Sequence, residues 1–257
     1  MVKTLVEWPF AVLLVAMCAL CAALLFGTGW AVKRFLSDRV SLPTLERELF
    51  ALIGAAFGII LAFVIFVQWT DNDRMKSIVE NETGAMAAVL RYSEGFDPSG
   101  DLDEAVLAYR DLVVNVAIPA LKDGRADDAW NVGGAGLTLL IRTFDKIDPA
   151  EENQTFYDLA AGHIDALTTT HRERIEVSQS DLSPPMWWFV ILFSVLMLVL
   201  VALIQPPDSL GAILLLGSVV AFFGLTLTLI VSLNYPLNGT FATSIEPYFR
   251  GVLGNSG

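Results

Sequence analysis

Hydrophobic and polar positions along this chain separate into long blocks. Residues 8–32, 49–70, 182–207 and 209–245 contain no Lys, Arg, Asp or Glu. A helix needs about 20 residues to cross a hydrocarbon layer of about 30 Å. The pattern therefore predicts four transmembrane helices, over 8–31, 49–69, 186–204 and 210–233. Pro184-Pro185 stands where proline is tolerated at a helix start, and Gln205-Pro206-Pro207-Asp208 forms a tight stop between the last two spans. The block between the two pairs is polar and helical in pattern. Residues 71–92 hold no proline, so the second span is expected to run on out of the membrane. Val106, Tyr109, Leu112, Val113 and Val116 recur at helical spacing within 102–121, where Pro119 bends or ends the helix. Two further helices are expected over 127–145 and 149–176. Few runs alternate β-branched residues, so no sheet is expected.

Charge sharpens the division. The net charge is −12, and 22 acidic residues against 10 basic ones lie between Asp71 and Asp181. The expected fold is all-α, with two helices on each side of a central helical domain. Its parts are 1–70 (first two spans and a basic loop), 71–183 (acidic domain), 184–233 (last two spans) and 234–257 (tail). An acidic domain repels nucleic acid, so none is expected as a partner. The expected partners are the lipid bilayer, inorganic ions and further copies of this chain.

Orientation is read two ways. The loop after the first span carries Lys33, Arg34, Arg39 and Arg47, against Lys3 alone in the N-terminal tail. By the positive-inside rule the loop is cytoplasmic and the acidic domain extracytoplasmic. Arg74, Lys76, Arg172 and Arg174 flank the domain and pull the other way. Trp8, Trp69, Trp187, Trp188 and Tyr235 fall at one expected membrane face, and Trp30 at the other.

Chemistry-bearing patterns are sparse. Cys18 and Cys21 share a helix in the first span and read as packing residues rather than a metal pair. His163 and His171 read as solvated helix positions. No metal-ligand spacing, catalytic residue or cofactor motif emerges, and no enzyme activity is expected. No ionisable residue falls near mid-membrane, which disfavours proton-coupled transport. The second span has the most pattern. Ala51, Ala55, Gly58 and Ala62 form a small-residue stripe, and Gly54 and Gly58 have glycine-xxx-glycine spacing. Ala51, Gly54, Gly58 and Ala62 are candidate helix-packing positions, within a subunit or between subunits. Ile59 and Phe63 lie beside the stripe, placed for a bulky face toward an oligomer axis.

These residues resemble a known family. Gly58-Ile59-Ile60-Leu61-Ala62-Phe63, Gln68-Trp69 and the stretch from Met75 to Ala85 are similar to the prokaryotic bestrophin-like proteins. So is the tail, with Asn234-Tyr235-Pro236-Leu237-Asn238-Gly239 and Ser244-Ile245-Glu246-Pro247, although Asn234 and Leu237 stand where Asp and Phe are usual. The resemblance implies a distant relation to bestrophin channels, which are pentamers lined by their second span. Ala55, Ile59, Phe63 and Val67 would then line the pore. Asp71, Asp73 and Glu80, assisted by Glu82, would form an acidic mouth favouring cations. The calcium clasp of animal bestrophins is not recognisable. The resemblance places the domain in the cytoplasm, against the loop charges. The expected location is the inner cell membrane, multi-pass. The alternative to a channel is a non-conducting scaffold or sensor whose helical domain binds a partner.

Overall fold

The computed structural model describes residues 8–35, 44–204 and 209–254. Lys3, most of the basic loop and the 205–208 connection lie outside them, as do the side chains of Lys33, Glu46 and Arg47. Among the described residues the chain is α-helical with short 3-10 and π segments and no strand. It divides into two compact units, Met1–Thr70 with Asp181–Phe241, and Asp71–Ser180 with Ala242–Gly257. The tail expected as one piece from 234 onward is therefore shared between them.

The first unit holds α1 (Phe10–Phe35), the N-terminal part of α2 (Thr44–Ser93), α7 (Pro184–Ile204) and α8 (Leu210–Leu233). Each contains a stretch long and apolar enough to cross a membrane. α1 packs against α7 and α8. Gly224 on α8 lies against Cys18 of α1, where a Cβ would collide with backbone and sulfur. Small residues at such crossings let helices approach closely in lipid, where no hydrophobic drive favours one apolar partner over another. Cys18 and Cys21 are thus packing residues. Phe57 of α2 is the aromatic centre, with ring centroids 5.6 Å from Phe193, 6.2 Å from Phe189 and 6.4 Å from Phe223.

Three spans are tied together at one end of this unit by buried amides. Gln68 Nε2 donates to Asn234 Oδ1 at 2.9 Å, and the Leu182 backbone N–H donates to the same oxygen at 2.8 Å. Gln68 in the middle of α2, the approach to α7 and the C-cap of α8 meet there. Trp187 and Tyr235 pack beside Leu13 and Val231.

The second unit wraps the C-terminal part of α2 in α3 (Asp101–Leu112), α4 (Ile118–Lys122), α5 (Ala126–Phe144) and α6 (Gln154–Ser178). Two 3-10 turns, Glu246–Phe249 and Gly251–Leu253, close it. α2 continues unbroken as the absence of proline predicts. α3 and α4 are joined by a π segment, Val113–Ala117. Pro119 explains it: without an N–H it cannot donate to the carbonyl four residues back, and the turn widens so that Ile118 N–H reaches Val113 O instead. α6 starts at Gln154 rather than near 149, after a 3-10 turn at Glu151–Asn153. Asp97 organises the turn before α3. Its carboxylate accepts from Leu102 N at 2.8 Å and Ser99 Oγ at 2.5 Å, while Gly100 takes the left-handed φ of 75°. The core runs from Met86 and Val89 through Val106, Tyr109 and Leu140 to Leu167 and Tyr248. Phe144 stacks on Tyr157 at 4.2 Å.

Candidate functional site

Within the first unit, α2 buries Phe57, Leu61, Val64 and Gln68, spaced four, three and four residues apart. At 100° per residue these fall within about 60° of one another. Of the residues expected to line a pore, Ala55, Ile59 and Phe63 stand on the opposite side, while Val67 lies at the border of the buried face. Ile59 is 72 % exposed and Phe63 61 %, with Ala55 and Val67 also exposed. At roughly 200° and 240° from Phe57, Ile59 and Phe63 face away from the chain's own bundle. Phe66 and Leu52 widen this apolar surface.

The small-residue stripe is not the face the chain buries. Ala51 and Ala62 are exposed, and Gly54 and Gly58 half-buried. A Cβ at either glycine would meet nothing within 4 Å. Both glycines border an apolar groove of about 330 Å³ completed by Met197, Val201, Val219 and Phe222. In-subunit packing of α2 therefore rests on bulky residues, and the small stripe is left open.

In the second unit, Asp73 and Glu80 are exposed on α2 and Asp71 half-buried. Glu82 is not with them. It is fully buried, and its carboxylate pairs with the guanidinium of Arg174 on α6. Tyr109 of α3 donates to its other oxygen at 2.8 Å, and Tyr248 of the C-terminal turn donates at 2.5 Å. An assisting place at an acidic mouth is thereby corrected, because three donors already occupy this carboxylate inside the core. Burial and the neighbouring Glu82 charge push both phenols well above the usual tyrosine range. For Arg174, burial works against the charge, but Glu82 beside it outweighs that and raises the pKa further.

His171, expected as solvated, is 4 % exposed and belongs to the same cluster. Its Nδ1 stands 3.2 Å from Arg174 Nη2. Its ring lies 5.5 Å from that of Trp130 and fills the space left by the missing Cβ of Gly133. Among the described residues, neither Arg174 Nε nor His171 Nε2 has a hydrogen-bond partner. His163 is half-buried and stacks on Tyr92 at 5.7 Å. Sequence reasoning missed the cluster because its members come from four separated segments. The one local signal was the helical register that places His171 and Arg174 three residues apart, on the side of α6 that also carries Leu167 and Thr170.

No group of three or more His, Cys, Asp or Glu side chains is arranged to hold a metal among the described residues. What the geometry offers is an apolar membrane-helix face without a partner among the described residues and a charged lock inside the helical unit. No curated protein and no solved structure matches the chain. A family model described as Bestrophin-like domain matches residues 18–248, from within α1 to the Tyr248 lock, and takes in α2, α7 and α8 whole. By that coverage, the chain belongs to the bestrophin-like family.

Proposed function

We propose that this chain is a subunit of a homo-oligomeric, pentameric ion channel whose pore is lined by α2. It is a multi-pass membrane protein of the bestrophin-like family. The observation that carries the reading is the division of α2 into two apolar faces. Phe57, Leu61, Val64 and Gln68 serve the subunit's own core. Ile59, Phe63 and their neighbours are left for an axis, and the open stripe at Gly54 and Gly58 for a neighbouring copy. Rings of bulky apolar side chains gate by excluding water from a narrow neck. Ala55 makes one ring wide. Exposed Asp73 and Glu80, with Asp71, concentrate cations at the mouth and give the selectivity its sign. The acidic domain lies outside the cytoplasm by the loop charges and inside it by the family arrangement. The reading of the pore is the same in either case.

Purified protein in liposomes should pass ions, and Phe63→Ala should raise flux several-fold by widening the neck. Absence of flux in potassium, sodium and chloride salts would end the proposal. A non-conducting sensor is the second reading. A cavity of about 570 Å³ favours it, where Asp97, Asp101, Glu104 and Asp148 surround an apolar floor of Phe96 and Leu139.

A further inference from the structure

The buried cluster at Glu82 contains a titratable group for which the pore reading has no use. His171 is one of two histidines in the chain. A guanidinium carries only donors, so at the 3.2 Å contact His171 Nδ1 must accept from Arg174. The imidazole is therefore neutral, with its proton on Nε2. A second proton would sit on Nδ1 and point at a cation that has no lone pair to receive it. The ring is also confined, since Trp130 covers it and Gly133 of α5 presses against its edge.

The groups that face the ring do not compensate a new charge. Arg174 on its own helix opposes a charge on the ring, Glu82 of α2 and the Trp130 backbone of α5 favour one and are outweighed, and Tyr109 of α3 and Tyr248 of the C-terminal turn reach the Glu82 carboxylate rather than the ring. Glu82 is the anion among them, and it already receives Arg174 and both tyrosines. The hydroxyl of Tyr248, buried with its ring in the core, therefore keeps its acceptor while Arg174 and Glu82 keep their present arrangement. The segment it belongs to has a second anchor, the Leu253 carbonyl, which accepts from Arg110.

We propose that this cluster is an acid-sensitive latch: neutral His171 lets Arg174 close on Glu82 and Tyr248, and protonation of His171 releases the C-terminal segment beginning at Tyr248. Burial, and then the Arg174 charge, hold the imidazole below its ordinary value of 6.5, while Glu82 and the Trp130 backbone act the other way and are outweighed. The undocked state thus takes up the proton first as pH falls. Docking is fully stable above 6.5 and weakens as pH drops below it toward the folded-state value. The latch holds or fails independently of conduction by α2.

The test is amide hydrogen exchange of the full-length protein in detergent, at pH 7.5 and pH 5.0, corrected for the intrinsic pH dependence. Protection of residues 246–253 should fall at least tenfold at pH 5.0 in the wild type and in His163→Gln. In His171→Gln the two pH values should give equal protection. Equal protection in the wild type at both pH values overturns the latch, as does an undiminished acid loss in His171→Gln. Should His171→Gln fail to fold, the nitrogen shifts of the two imidazoles in the wild type decide the matter. His171 should charge in parallel with the loss of protection, and protection lost while His171 stays neutral overturns the proposal.

Discussion

Glu82 shows how a residue's setting decides its role. From the sequence it was one more acid on a helix leaving the membrane, close to Asp73 and Glu80. In the folded unit it is an acceptor for Arg174, Tyr109 and Tyr248, with no exposed surface. A buried charge pair is costly to assemble and more costly to break, because removing one partner strands the other. Arg174→Met should destabilise the helical unit by about 3–5 kcal/mol. Arg174→Met with Glu82→Gln should cost clearly less than the two single changes summed, since the double variant strands no charge. Denaturant unfolding monitored by Trp130 checks this, and additive costs would mean the pair is not coupled. Gly133 is a second case. A glycine weakens a helix interior, and Gly133 lies inside α5. In the structure its missing Cβ is the space that His171 fills. Gly133→Ala should gain helix propensity yet lose about 1–3 kcal/mol through forced repacking around the ring. Thermal unfolding should show the net loss.

At the scale of elements, the membrane helices were legible and the extramembrane boundaries less so. α8 begins where its charge-free run does and ends at Leu233, ahead of Pro236 and well before that run stops at Ile245, because burial in lipid demands an unbroken apolar helix. The joint between α3 and α4 was legible only as a proline, since which carbonyl Ile118 would choose depends on packing. The face of α2 used inside the subunit was not legible, because every face of that helix is apolar. Two changes separate its faces. Phe57→Ala leaves a hole among Phe189, Phe193 and Phe223. Lipid is as apolar as the core, so mainly the lost contacts count, at about 2 kcal/mol. Ile59→Ala should leave subunit stability within about 0.5 kcal/mol, as expected for a position away from such features. Unfolding in mixed micelles compares the two, and equal losses would place Ile59 inside the subunit core. At the C-cap of α8, Asn234 Oδ1 takes two donors, one of them Gln68 of α2, while its Nδ2 has no partner among the described residues. Asn234→Asp would keep both acceptor contacts and remove that stranded donor, so the three spans should remain joined. Loss of detergent-resistant folding in Asn234→Asp would show that the carboxylate's desolvation outweighs the gain.

For the whole molecule, the division into a membrane unit and an acidic helical unit follows from the charge pattern, but the course of the tail does not. Residues up to Phe241 belong with the spans, and those from Ala242 belong with the helical unit. Composition could not separate them, because the tail carries few charges and no periodicity. Its last part is held by two buried side chains, Tyr248 and Leu253, seated in the core beside Val106 and Leu140. Deleting residues 242–257 should therefore affect the two units unequally. The helical unit loses the burial of both side chains and leaves Arg174, Glu82 and Tyr109 open to water. By analogy with large-to-small core changes this amounts to about 4 kcal/mol or more, a large share of the 5–15 kcal/mol that holds a domain folded. The four spans bury their apolar surface in lipid and keep the Gln68–Asn234 tie, so they should remain inserted. Limited proteolysis of membranes holding the truncated chain checks this. The expected result is rapid cleavage between Asp71 and Ser180 with the spans protected. Equal resistance of the truncated and full-length chains would mean that the C-terminal turn lies on the helical unit without supporting it.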